Sequence, residues 1–306
     1  MTKKVYILLI RFFLGLVFIF SAISKLFPIE VFELSFVYHG ITGWTLAPYI
    51  SRALIIFELY LGCALLFNQY IKQFILPATF GLLLFFTIYL VYSIYQFGNE
   101  ANCGCFGTVL PMTPKQSILK NMLMMGLCVL LYKKTEIKKT NSNWLQPILF
   151  STSSLAILLF FPIYNYNFKP NNASKELPDL SSLNGFSDHS NLPLKKDKKL
   201  AAVFNMACSH CIEVALKLNA AKSRIAFPSA YFILLGDSSE IKSFCELTHS
   251  STPYKLMNAA DYIKQFKSGW PSVYLMKDGK IIYDNNYKSF SGPQFEIVVT
   301  HFLEKE

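Results

Sequence analysis

Hydrocarbon offers no partner to a bare backbone N–H or C=O, so an apolar run of about 20 residues that enters a bilayer has to be helical. Five runs in the first half of this chain approach that length: residues 5–25, 49–67, 74–95, 117–131 and 145–163. The fourth is the shortest. Charge is distributed to match. Residues 1–163 hold 12 Lys and Arg against 5 Asp and Glu, whereas residues 164–306 hold 17 against 14. A charge-poor first half followed by ordinary surface chemistry predicts a helical membrane bundle and then a water-facing domain. The first run has the basic start of a signal peptide (Lys3, Lys4), but its apolar part is long, it carries Arg11, and further runs follow at once. A retained helix is expected.

The net charge of +10 does not point to nucleic acid. Basic residues cluster at the ends of apolar runs, where membrane topology places them, and form no stripe interleaved with aromatics. If the runs alternate, Lys3, Lys4, Lys72, Lys133, Lys134, Lys138 and Lys139 share one side, against Lys25, Arg52, Lys115 and Lys120 on the other. The richer side is expected to be cytoplasmic. Five crossings then leave the N-terminus inside a bacterial inner membrane. They put the loop from Gln96 to Pro114 outside, together with everything after about Tyr164.

Residues 136–164 read as a cytoplasmic loop and the fifth span. Residues 165–198, rich in Asn, Ser, Pro and Lys, read as a linker. From Lys199 to the end, short β-rich runs alternate with helical patterns. Strands are expected at 200–205, 230–235, 254–257, 272–276 and 280–283, the last two joined as a hairpin through Asp278-Gly279. Helices are expected at 211–224, 239–248, 261–267 and 295–303.

Within that half, Cys208-Ser209-His210-Cys211 sits where the first strand feeds the first helix. The N-terminus of a helix carries partial positive charge and stabilises a thiolate there. Cys208 is expected to have a lowered pKa, helped by His210. Cys211, one turn along, can close a disulfide and release a trapped partner. The competing reading is zinc or a loop staple. Zinc wants four ligands, and His189, His210, His249 and Cys245 lack paired spacing, so no metal is expected.

Strand–CxxC–helix, followed some sixty residues later by Trp270-Pro271, a strand and an Asp-Gly hairpin, resembles the thioredoxin-like fold over about residues 199–304. The resemblance implies a cis bond before Pro271, with the proline facing the redox cysteines. The histidine within the motif is similar to that of periplasmic disulfide oxidants.

The membrane half also resembles a known group. "IRFFLGLVFIFSAISKLF" at 10–27, Glu58 in "FELYLG", and "CGCFG" with Cys103 and Cys105 ahead of the fourth helix resemble the DoxX-like superfamily and, within it, the methylamine-utilisation MauE family, over about residues 1–135. The resemblance implies a four-helix core, here with one extra transmembrane helix, and a role in maturing a disulfide-containing, methylamine dehydrogenase-like client. A fused thioredoxin-like domain implies service to envelope thiols more generally. A quinone enters by this resemblance alone.

Cys103 and Cys105 flank Gly104, and a disulfide between them would close a tight, readily exchanged ring. A structural pair and metal binding remain open for them. A tether of some thirty residues spans on the order of 30 Å, which keeps the two cysteine pairs at high local concentration. The expected function is therefore membrane-bound thiol–disulfide exchange on envelope proteins, with Cys208/Cys211 passing electrons to or from Cys103/Cys105. A non-catalytic assembly factor and a DoxX-type respiratory subunit are the alternatives. Arg11 and Glu58 lie within spans and are expected to pair or to face a cavity. Cys63, Cys128 and Cys245 are expected to be small buried residues, and His39 a solvated loop residue.

Overall fold

The computed structural model describes residues 3–27, 29–67, 70–97, 112–135, 144–163, 198–266, 269–278, 280–286 and 290–304. The chain divides into two compact units, Met1–Tyr164 and Asn165–Glu306. Cys103, Cys105 and the expected linker lie outside the described residues.

The first unit is helical. It comprises α1 (Lys3–Ser24), α2 (Ile29–Tyr38), α3 (Ala47–Phe67), α4 (Leu76–Phe97), α5 (Pro114–Lys134) and α6 (Leu145–Phe160), with one π-helical turn at Ile71–Ile75 leading into α4. Among the described residues, three stretches are long and apolar enough to cross a membrane: Val5–Ser24, Ala47–Phe67 and Ile71–Gln96. The fourth and fifth apolar runs become α5 and α6. At 21 residues α5 is about 31 Å long, but it carries Lys115, Lys120, Asn121, Lys133 and Lys134. The helix α6 has 16 residues.

Helices α1 and α3 run antiparallel in close contact. A Cβ on Gly15 would stand 2.8 Å from Leu66 Cδ2 and 3.0 Å from the Gly62 carbonyl, and one on Gly62 would stand 2.8 Å from Ile19 Cγ1 and 3.0 Å from the Gly15 carbonyl. Lipid supplies no hydrophobic drive between helices, so small residues that let backbones approach carry much of the packing. Leu14, Phe18, Leu61, Ala64 and Leu65 bury around this contact, joined by Leu83 and Phe86 of α4 and by Met124, Cys128 and Leu131 of α5. The helix α5 starts with a capping box: Thr113 accepts from the Gln116 backbone, and the Gln116 side chain accepts from the Thr113 backbone.

Two features here escape a sequence reading. The stretch between the first two runs is not all loop, because α2 places Phe32 and Phe36 one turn apart in a cluster with Ala22, Ile55 and Ile157. And α6 is fastened to α3 at both ends. Arg52 donates to the Phe161 carbonyl at 3.0 Å and to the Pro162 carbonyl at 3.2 Å, while pairing with Glu33 of α2. At the other end, Tyr60 hydroxyl donates to Gln146.

The second unit is a five-stranded sheet in the order β3-β2-β1-β4-β5. Its strands are β1 (Lys198–Asn205), β2 (Ser229–Leu235), β3 (Tyr254–Met257), β4 (Ser272–Lys277) and β5 (Lys280–Asn286). The strand β1 pairs parallel with β2 and antiparallel with β4. Its helices are α7 (Ser209–Lys222), α8 (Glu240–Thr248), α9 (Ala259–Phe266) and α10 (Gly292–Glu304). Strand alternation sorts β1 between two cores. Leu200, Ala202 and Phe204 meet α7, α8 and α10 on one face, and Ala201 and Val203 meet Tyr262 of α9 on the other.

The glycine contact gives a test. Gly62→Leu adds bulk where 2.8–3.0 Å is already taken, at a cost of about 1–3 kcal/mol. Thermal melting in detergent should show a clear drop for Gly62→Leu, with little change for Gly81→Leu, where a Cβ meets nothing within 4 Å.

Candidate functional site: a cysteine pair at a strand–helix junction

The strand β1 ends at Asn205, and the chain turns sharply into α7. Asn205 makes that turn. Its side-chain oxygen accepts from the Ala207 N–H at 3.0 Å, and its carbonyl accepts from the Cys208 N–H at 3.1 Å. Met206 N–H donates to the Leu235 carbonyl at 3.0 Å, tying the turn to the end of β2. The next residue, Gly236, sits at φ 139°, a conformation L side chains rarely adopt, and a Cβ there would stand 2.9 Å from Met206 Cε.

Cys208 is the N-cap of α7 with extended backbone (φ −91°, ψ 119°). Its carbonyl accepts from the N–H groups of Cys211 at 3.0 Å and Ile212 at 3.2 Å, so its side chain stands at the positive end of the helix. The two cysteines differ in exposure. Cys208 is half-buried, Cys211 is fully buried, and both are free thiols. Burial pushes the Cys211 thiol pKa up. The neighbouring Cys208 adds to this, by charge and by a side-chain hydrogen bond. The Asn205 N–H, donating to Cys211 Sγ at 3.2 Å, works the other way and is outweighed. His210 is exposed on the first turn of α7.

The peptide bond between Trp270 and Pro271 is cis. The ladder between β1 and β4 ends at Val203 opposite Ser272, so Pro271 stands one position further on, beside Phe204 and the turn that carries Cys208. A proline lacks the N–H that would extend the ladder. Trp270 is half-buried against the Tyr262 ring at 6.2 Å, and both Trp270 and Cys208 pack on the core beneath α7. The fold therefore brings Cys208, Cys211, His210, Trp270 and Pro271 to one end of the sheet.

In the helical unit, Glu58 does not pair with Arg11. Its carboxylate takes Lys25 Nζ at 2.6 Å and the Ser21 hydroxyl at 2.7 Å, and Lys25 also donates to Ser21 Oγ at 2.8 Å. Helix register is the reason. Gly15 and Ile19 meet Gly62, and Gly15 also meets Leu66, so Arg11, a turn earlier on α1, falls level with residues past Leu66. That is about 12 Å along α3 from Glu58. A sequence reading that counts Lys25 only as a flanking topology charge misses it. The usable signal was Ser21, four residues before Lys25 and on its face of the helix.

His39 also departs from expectation. It is half-buried directly after α2, and both ring nitrogens are engaged by α4: Nδ1 with Tyr89 hydroxyl at 2.6 Å and Nε2 with Ser93 hydroxyl at 3.1 Å. Cys63 is half-buried and Cys128 buried, both as free thiols. Cys245 is half-buried on α8, short of the full burial expected of a core residue, and burial together with Glu246 raises its pKa. Among the described residues, no group of three or more His, Cys, Asp or Glu could hold a metal ion.

Residues 3–134 match the family described as "Methylamine utilisation protein MauE". Over 92% of its length the chain is 28% identical to Protein TlpB of Flavobacterium psychrophilum, covering 90% of that protein. Solved structures resemble the α/β part. A secreted Mycobacterium tuberculosis disulfide oxidoreductase homologous to E. coli DsbE is 12% identical with TM-score 0.32, covering 35% of this chain and 84% of its own. The thioredoxin domain of a thiol-disulfide oxidoreductase from Bacteroides vulgatus is 17% identical with TM-score 0.32, covering 39% and 90%. The chain thus joins a helical unit that matches the MauE family model and holds stretches long and apolar enough to cross a membrane to an α/β domain built on a five-stranded sheet.

The exposure difference sets an expected labelling order. In the reduced protein, a small alkylating agent should modify Cys208 and leave Cys211 as thiol, because the raised pKa keeps Cys211 protonated until high pH. Peptide mapping after timed alkylation at rising pH reads this directly.

Proposed function

We propose that this chain is a membrane-bound thiol–disulfide oxidoreductase acting on proteins outside the cytoplasm. In this reading Cys208 exchanges with the client, Cys211 resolves the mixed disulfide, and the pair communicates with Cys103/Cys105 in the membrane-domain loop. The observation that carries it is the asymmetry at the start of α7. One thiol stands half-exposed at the helix N-cap and its partner lies buried one turn along. A metal site or a structural staple has no need of that difference. Attack requires an accessible thiolate, and resolution requires a second thiol that stays protonated and shielded until a mixed disulfide forms.

Exchange conserves electrons. A thiolate on one pair attacks the disulfide of the other, a mixed disulfide forms, and the second thiol of the attacking pair displaces it. One disulfide and two thiols are present before and after, on opposite partners. Pro271 and Trp270 shape the edge against which a client lies, and His210 stands exposed on the first turn of α7, two residues after Cys208. Five crossings with a cytoplasmic N-terminus, part of this proposal, would put Cys103/Cys105 and the α/β domain in one oxidising compartment, where disulfides persist.

A trap tests it. With Cys211 replaced by Ser, resolution fails and Cys208 should accumulate as a mixed disulfide, part of it to Cys103 or Cys105 of the same chain. Non-reducing gels and mass spectrometry identify the partner. Cys208→Ser should abolish exchange altogether. A trap containing only foreign proteins removes the relay to the membrane loop and leaves the α/β activity. Full function in Cys208→Ser removes the enzyme reading and favours an assembly factor.

A further inference from the structure

Once Glu58 is given to Lys25, Arg11 is left without a role. It lies inside the apolar stretch Val5–Ser24, about 9 Å along the helix from its start. Among the described residues nothing pairs with it. Its Nε is enclosed without an acceptor, while the residue as a whole is half-buried, so the outer nitrogens of the guanidinium stay open. The acidic side chains among the described helical residues are Glu30, Glu33 and Glu58. Glu58 takes Lys25, Glu33 takes Arg52, and Glu30 stands on the first turn of α2, past the opposite end of α1. A guanidinium stays charged. Within a hydrocarbon span it has to meet an acceptor, and here the acceptor has to come from outside the chain.

The surroundings say which kind. Ile10, Ile71 and Leu131 bury in one cluster. That brings the first turns of α1, the π-helical turn ahead of α4 and the last turn of α5 to the same end of the helical unit. This end carries Lys72 on the π-helical turn and Lys133 and Lys134 on α5. Lys72 Nζ lies 5.1 Å from the Tyr132 ring centroid. Tyr132 and Tyr6 both stand exposed, and tyrosines beside lysines at helix ends mark the headgroup level of a bilayer. A helical side chain leans toward the N-terminus of its helix, so Arg11 reaches back out of the apolar stretch toward this same level.

We propose that Arg11 binds the phosphate of an anionic phospholipid headgroup, with Lys72, Lys133 and Lys134 supplying the field that favours a lipid of net negative charge over a zwitterionic one. Guanidinium and phosphate oxygens form charge-assisted hydrogen bonds, stronger than neutral ones. Basic residues gathered at one end of a membrane bundle suit an anionic headgroup. Leu8, Phe12 and Phe13 flank Arg11 on α1 and are exposed. The acceptor therefore arrives with the bilayer, and a dissolved anion would have to pass those side chains. The site owes nothing to the cysteines.

The test uses the full chain in a neutral detergent, stripped of lipid. It is titrated with short-chain phosphatidylglycerol or with phosphatidylcholine of the same acyl length, and native mass spectrometry counts the lipids each chain retains. Phosphatidylglycerol should be retained at lower concentration than phosphatidylcholine. Arg11→Leu should weaken the tightest phosphatidylglycerol site tenfold or more. Arg11→Gln, similar in length but uncharged, should do the same and carries the test if the leucine variant fails to fold. Lys115→Gln removes a charge from the other end of α5 and should change nothing. Equal retention of the two lipids by the wild-type chain overturns the proposal. So does wild-type retention in either Arg11 variant, or an equal loss in Lys115→Gln. Displacement of the lipid by millimolar inorganic phosphate also overturns it, because the site would then serve a dissolved anion.

Discussion

A charge inside a helical membrane bundle has to find its opposite on another helix, and in this chain that requirement fixes the bundle. Lys25 directly follows α1 and Glu58 lies midway along α3. Their contact at 2.6 Å, together with the approach of Gly15 to Gly62, sets the register of the two helices. The hydrogen bonds of Ser21 to Glu58 and of Lys25 to Ser21 and Glu58 follow from that register. Shifting α3 by one turn would carry Glu58 about 5 Å away from Lys25 and put a branched side chain where Gly62 now admits a backbone. The pair and the glycines constrain one another, since neither arrangement is available without the other.

The α/β unit obeys a different constraint. Its site is made by backbone groups left over at the end of a strand and the start of a helix. Asn205 uses its side chain, its carbonyl and its N–H, for the turn and for Cys211. That economy explains why two cysteines three residues apart differ so much in environment. One caps the helix at the rim of the sheet, and the other is carried by the first turn of α7 into the core beneath β1.

Much of this was legible in the sequence, unevenly. The strand–helix alternation after Lys199 was readable because each element has a distinct hydrophobic period and turn residues between elements. The structure moves its boundaries by one to three residues for most elements, as with α7 beginning at Ser209 where a start at Cys211 was expected. The placement of Trp270-Pro271 beside the CxxC motif came instead from the resemblance to the thioredoxin-like fold, since no period or spacing in the chain brings the two together. In the membrane half, periodicity located the helices but not their register, and register decides partners. Arg11 and Lys25 are both cations of the first apolar run, and composition cannot say which reaches Glu58. The short helix α2 stayed hidden because Glu30 and Glu33 interrupt its apolar residues. Glu33 makes sense only once Arg52 is seen beside it. His39 likewise looked like a loop residue until Tyr89 and Ser93, some fifty positions away, closed on its ring.

Arg52 has a consequence beyond its ion pair. Its guanidinium holds the carbonyls of Phe161 and Pro162, the last turn of chain before the helical unit ends. The main chain therefore leaves the helical unit from a fixed point on α3, and insertions or deletions downstream of Pro162 leave that point where it was.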